Sequence, residues 1–189
     1  DLWRTDGTSS GTERVRPGPA VLAPRELTVV DDVAYFTGYD AATGRELWRS
    51  DGTATGTYLV ADIDPGSESF ERGSFTPVAG LLYFGVNALN GQELWCSDGT
   101  TAGTVKVIGP LNGSMKRMAA AGDELWFTLE VEFVAEQVWC SDGTTAGTRM
   151  VKSLPYLWRT PPTGYTAVDS LGLVFFAAND GVTGYELWK

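Results

Sequence analysis

The sequence predicts an all-β fold: a β-propeller of four repeats, each with about four antiparallel strands. Three observations predict it. One segment recurs in near-identical copies starting at residues 1, 46, 93 and 137, and Glu186-Leu-Trp-Lys189 opens a fifth. The period is about 45 residues, the length of a blade with four short strands. The apolar runs between copies are consecutive rather than alternating, as in strands buried on both faces.

The repeated segment is read first. Its copies are Asp1-Leu-Trp-Arg-Thr-Asp-Gly-Thr-Ser-Ser-Gly-Thr12, Glu46-Leu-Trp-Arg-Ser-Asp-Gly-Thr-Ala-Thr-Gly-Thr57, Glu93-Leu-Trp-Cys-Ser-Asp-Gly-Thr-Thr-Ala-Gly-Thr104 and Gln137-Val-Trp-Cys-Ser-Asp-Gly-Thr-Thr-Ala-Gly-Thr148. Each reads as a strand ending in a hairpin: the Asp bonds backbone amides across the turn and the Gly takes a positive φ. A further strand follows the hairpin, as in Tyr58-Leu-Val-Ala-Asp-Ile63, Val105-Lys-Val-Ile108 and Arg149-Met-Val-Lys152. An aromatic strand precedes each later motif: Ala34-Tyr-Phe36, Leu82-Tyr-Phe84, Leu125-Trp-Phe127 and Val174-Phe-Phe176. A fourth strand precedes that one at Leu27–Val30, Phe75–Val78 and Tyr165–Val168. No stretch shows sustained helical periodicity. The chain is therefore read as one repeat domain, 1–189, with repeats 1–45, 46–92, 93–136 and 137–185, and residues 186–189 open a fifth. Asp1-Leu-Trp starts inside a motif, which reads as a piece of something longer. The blades form either a closed four-bladed ring or an arc of a larger propeller, and an open arc is expected to self-associate.

Composition narrows the function. The chain is acidic, with 24 Asp and Glu against 14 Lys and Arg, and it contains no histidine. Nucleic acid is not expected as a partner, because phosphate backbones need clustered cations. Histidine-based catalysis and histidine-ligated zinc are excluded. No apolar run approaches the roughly 20 residues of a membrane span. Cys96 and Cys140 occupy one slot in neighbouring repeats and fit no metal spacing; buried thiols are expected in preference to a bridge.

The motif resembles the bacterial repeat family named for Glu-Leu-Trp-x-x-Asp-Gly-Thr, and the likeness covers essentially the whole chain. The resemblance implies a secreted or cell-surface bacterial protein with many tandem copies and no enzymatic activity. Asp1 and Gln137-Val138 depart from the family pattern, so an acid at that position is not required in every blade.

Candidate sites follow, each beside its plainer alternative. Asp6, Asp51, Asp98 and Asp142 suggest calcium, but one acid per hairpin does not supply six oxygens, so they are read as turn residues. Asp62, Asp64 and Glu68 have some character of a calcium loop but lack its final acid, and a solvated loop is preferred. No cofactor is expected, with calcium the one candidate. Trp48, Trp95 and Trp139 are read as core between blades rather than as a sugar-stacking ring. Tyr156, Leu157, Trp158 and Arg159 lie in an unrepeated, proline-flanked loop that looks like an anchor patch or an end cover. Phe133 sits beside Glu130, Glu132 and Glu136, where the other repeats have an Asp/Asn-to-Gly turn; it is a further contact candidate, against an edge bearing protective charges. The expected function is a non-catalytic, lectin-like binding module presenting variable loops to protein or glycan. The alternatives are a structural spacer in an extracellular array and, less favoured, a sialidase-like glycoside hydrolase.

Overall fold

The computed structural model describes residues 1–15, 23–64, 75–157 and 161–189. Among these the chain is built of strands, with one short 3-10 turn at Asp169–Leu171 and no α-helix.

Five antiparallel sheets follow one another along the chain. The first is a two-stranded ribbon of β1 (Trp3–Arg4) and β2 (Glu13–Arg14). The second has four strands in sequence order, β3 (Arg25–Val30), β4 (Val33–Asp40), β5 (Gly44–Ser50) and β6 (Tyr58–Ala61). The third repeats this with β7 (Thr76–Val78), β8 (Leu81–Ala88), β9 (Gly91–Ser97) and β10 (Val105–Leu111). The fourth has β11 (Ser114–Ala121), β12 (Glu124–Val131), β13 (Ala135–Ser141) and β14 (Arg149–Pro155). The fifth has β15 (Thr163–Val168), β16 (Leu173–Asn179) and β17 (Tyr185–Trp188).

Sheets and sequence repeats are out of phase by half a period. The motif strand is the third strand of each sheet and its hairpin leads to the fourth. Each four-stranded sheet therefore joins the second half of one sequence repeat to the first half of the next.

The second strand of each four-stranded sheet is central and apolar at successive positions, and its residues are buried on both faces: Tyr35-Phe36, Leu82-Tyr83-Phe84 and Leu125-Trp126-Phe127. The first strand carries a recurring bulge. The ladder slips between Arg25 and Thr28, between Lys116 and Ala119, and between Thr163 and Thr166. The residue at the slip takes a positive φ: Glu26 at 60°, Arg117 at 52° and Gly164 at 74°. Only one of the three is glycine, so the bulge leaves no compositional mark.

The chain divides into two compact units. In the first (Asp1–Glu71, Gly80–Leu82 and Ser97–Thr104), Leu2 and Val15 of the ribbon pack on Phe36, Trp48 and Leu59. In the second (Arg72–Ala79, Tyr83–Cys96 and Val105–Lys189), Trp126, Val138, Cys140 and Leu154 meet Tyr165, Phe176 and Ala178.

Candidate functional site

The repeated hairpin is a closed network of hydroxyls. In the second copy the Thr53 amide and the Thr53 hydroxyl both donate to Asp51 Oδ1, at 2.8 and 2.7 Å. Gly56 N–H donates to Thr53 Oγ1 at 3.0 Å, and the Thr57 hydroxyl donates to the Thr53 carbonyl at 2.6 Å. Ser50 Oγ accepts from the Gly52 amide at 3.0 Å and pairs with Thr57 Oγ1 at 2.7 Å. The same bonds form around Asp98 and Asp142. Around Asp6, Thr5 takes the place of the serine. Gly52 lies at φ +85°, and a Cβ on Gly56 would overlap the Asp51 carboxylate. The invariant Asp, Gly, Thr, Gly and Thr of the hairpin thus each have a bonding or steric reason. Bonds from the Thr hydroxyl, then the Thr amide, hold all four carboxyls below the usual range.

These hairpins also reach the neighbouring sheet. The Thr101 hydroxyl donates to the Val60 carbonyl at 2.7 Å, and Thr145 makes the equivalent bond to Val107 at 2.8 Å. Asp62 and Asp64 flank a different arrangement: the buried carboxylate of Glu46 accepts from the Ile63 amide at 2.9 Å and the Asp64 amide at 3.2 Å. Burial pushes the Glu46 carboxyl up to about 7. Glu68 lies outside the described residues. Among those described, no three acidic or thiol groups converge enough to hold a metal ion.

The motif tryptophans differ in burial. Trp48 is 4% exposed beneath Leu2 and Val15. Trp95 and Trp139 are half-buried rather than enclosed; Trp139 stacks on Phe127 with ring centroids 6.1 Å apart. Their indole N–H groups donate to Glu93 Oε2 and Gln137 Oε1, both at 3.0 Å.

One corner of the fourth sheet breaks the pattern. The β12–β13 turn places Phe133 at φ 59° with 65% of its surface exposed. The ring meets half-buried Tyr156 edge-on, with centroids 5.7 Å apart, just beyond β14. Beside the turn lies an open hollow of about 550 Å³, lined by Asn112 and Ser114 from the β10–β11 connection, by Lys116, and by Glu130, Glu132 and Val134. Glu136 lies opposite Glu130 across the β12–β13 ladder and is 3% exposed. Burial first, and Glu130 second, push its carboxyl up to about 7. Half-buried Leu157 follows Tyr156 and approaches Gly181, while Trp158 and Arg159 lie outside the described residues. The structure thus brings Phe133 and Tyr156 together. Reading by composition did not single out Glu136; folding residues 130–136 as a hairpin would have set it against Glu130.

Tyr165 and Cys140 are both buried. Tyr165 is buried, its hydroxyl pairs with Thr128 Oγ1 at 2.7 Å, and burial pushes it up to about 12. Burial likewise pushes the Cys140 thiol up to about 11. Cys96 and Cys140 are buried and form no disulfide.

No protein-family model matches the chain, and no curated protein matches it in sequence. Its fold is similar to two solved structures: puromycin hydrolase (TM-score 0.51), and a mutant of that enzyme complexed with PGG (TM-score 0.53). Each is 17% identical over 90% of this chain, and the chain spans only 28% of the length of each. At that identity the likeness is one of fold alone.

Proposed function

We propose that the chain is a non-catalytic binding module whose sheets are consecutive β-propeller blades, and that it presents one unrepeated corner to a protein or glycan partner. The observation that carries the reading is exposed Phe133 against Tyr156, at the one place where the repeated turn is replaced. Large aromatics held at a surface without repeat-imposed packing are characteristic of recognition sites. The blade arrangement is supported by four-stranded sheets in strict chain order and by the bonds from Thr101 and Thr145 to the preceding sheets. The Glu-Leu-Trp-x-x-Asp-Gly-Thr resemblance supports a secreted or cell-surface bacterial setting.

A glycan array and a cell-surface protein pull-down, each run with wild type and with Phe133→Ala, test the reading. Discrete hits that weaken at least tenfold in the variant are expected. Hits that are indifferent to Phe133→Ala, with an unchanged melting temperature, would move the binding surface elsewhere. A fluorogenic glycoside turned over by the wild type would replace binding with hydrolysis.

A further inference from the structure

Glu46 and Trp48 stand two residues apart on one face of β5, as Glu93 and Trp95 do on β9 and Gln137 and Trp139 do on β13. In the two later sheets the first member of the pair accepts from the indole of the second. In the second sheet it does not. Glu46 gives Oε2 to the Ile63 amide and Oε1 to the Asp64 amide, and the Trp48 indole N–H is left buried with no partner. Trp48 is 4% exposed and Glu46 is fully enclosed.

The chain after each fourth strand explains the difference. The residues opposite Leu47, Leu94 and Val138 are Ala61, Ile108 and Lys152. Counting on from these, the places of Ile63 and Asp64 are held by Pro110 and Leu111 in the third sheet and by Leu154 and Pro155 in the fourth. Proline has no N–H, so only the second sheet offers both donors. Lys106, which bonds Glu93 in the third sheet, is replaced opposite Trp48 by Leu59. The Glu46 carboxyl thus has two alternative sets of donors: the amides it holds, and the indole that its counterparts hold.

We propose that Glu46 is a two-position switch thrown by its own proton: the carboxylate clamps the Ile63 and Asp64 amides, and the neutral acid releases one of them and turns to the Trp48 indole. A carboxylate accepts at both oxygens, and the two amides use both. A proton on either oxygen makes that oxygen a donor and breaks one of the two bonds. The remaining carbonyl is then free to take the indole N–H, which ends the cost of a buried donor left unmade. Burial raises the carboxyl from 4.5 to about 7, so the exchange falls near neutral pH. Asp62 and Asp64 face it from the stretch after β6 and add to that rise, against the pull of the two amide bonds. Other charges around the strand are engaged elsewhere. Asp40 of β4 accepts from the Ala42 amide, Arg45 donates to the Ala23 carbonyl, and Arg49 lies over the Tyr58 ring. On the ribbon, Arg4 pairs with Glu13 and Arg14 with Asp1. The switch belongs to the first unit and does not rest on the Phe133 corner being a binding surface.

The test is a two-dimensional NMR titration of the 189-residue chain from pH 5 to pH 8.5, following the Trp48 indole N–H and the amides of Ile63 and Asp64. Trp48→Phe assigns the indole. On acidification the indole proton should move downfield and at least one of the two amide protons upfield, with one shared midpoint near 7. Glu46→Gln has a single acceptor and cannot ionise, so its indole should sit at the acid position at every pH and the shared transition should vanish. A Trp48 indole that stays still across the range overturns the proposal. So does an indole that moves with a midpoint different from that of the amides, or a transition that survives in Glu46→Gln. If Glu46→Gln fails to fold, the wild-type titration decides alone, because a purely structural Glu46 would not move indole and amides together.

Discussion

The indole N–H of Trp139 donates to the side-chain oxygen of Gln137, two residues earlier on the same face of β13, at 3.0 Å. Trp95 makes the same bond to Glu93. In these two copies the indole takes an oxygen rather than a charge, so glutamine serves as well as an acid; in the second copy Glu46 is turned instead to the Ile63 and Asp64 amides. Gln137→Glu should therefore be nearly neutral. Gln137→Leu should cost about 1 kcal/mol, a fall in melting temperature of about 2–4 °C. Thermal melts of the two variants check this.

The Thr101 and Thr145 bonds identify a position where the second hairpin falls short. Ala54 holds the same place there and has no hydroxyl to give. The counterpart of Val60 and Val107 is Val15, which follows the residue paired with Trp3. Ala54→Thr should reach the Val15 carbonyl and stabilise by about 0.5–1 kcal/mol. Thr101→Val and Thr145→Val should lose a similar amount. A melting temperature for Ala54→Thr at or below that of the wild type would sink the idea.

The hairpin network predicts indifference to chelators. With Asp51 Oδ1 occupied by two donors from Thr53, EDTA should leave the melting temperature unchanged within about 1–2 °C, while Asp51→Ala should cost about 1–2 kcal/mol. Gly56→Ala should be worse, because its Cβ has no room beside the carboxylate. A drop with EDTA that calcium restores would make these acids ligands.

Two buried carboxyls set a pH dependence. Glu46 and Glu136 ionise at about 7 in the fold against an ordinary value of 4.5. A raised acid favours the folded state only while protonated in it. Both groups should therefore withdraw stability as pH rises from about 4.5 to about 7, with little further change above. Melting temperature should fall between pH 5 and pH 8, and Glu136→Gln should flatten that slope. A rise over the same interval would contradict the burial of both groups.

Burial also ranks the tryptophans. Trp48→Ala should cost about 3–5 kcal/mol, the usual cost of emptying an enclosed aromatic site. Trp95→Ala, starting half-exposed, should cost distinctly less. Equal costs in urea unfolding would mean that Trp95 is covered by something further.

What was legible in the sequence is what repeats. The aromatic central strands and the hairpin residues recur at one spacing, so their strand character and turn chemistry could be read directly. β11 could not: Ser-Met-Lys-Arg-Met-Ala-Ala-Ala has no β-branched residue, and it is a strand because β12 offers it an edge. The bulges at Glu26 and Arg117 were equally silent, since nothing in those side chains announces a positive φ. The buried acceptor of Glu136 depends on a partner strand and a facing sheet, and neither is local in sequence. Trp48, Trp95 and Trp139 share one motif yet differ in burial, because only Trp48 is covered by Leu2 and Val15.

The half-period offset between motif and sheet bears on how such a chain can grow. A duplication that copies the stretch from one motif to the next carries the rear half of one sheet together with the front half of its successor. Unequal crossover between copies therefore splices inside a hydrogen-bonded ladder, and every interior sheet is rebuilt whole from two parents. The seam tolerates this because the motif strand and its hairpin are almost interchangeable from copy to copy. The turn that carries Phe133 lies just ahead of the motif strand, at the boundary between repeats and outside the near-identical segment, so it has been free to diverge.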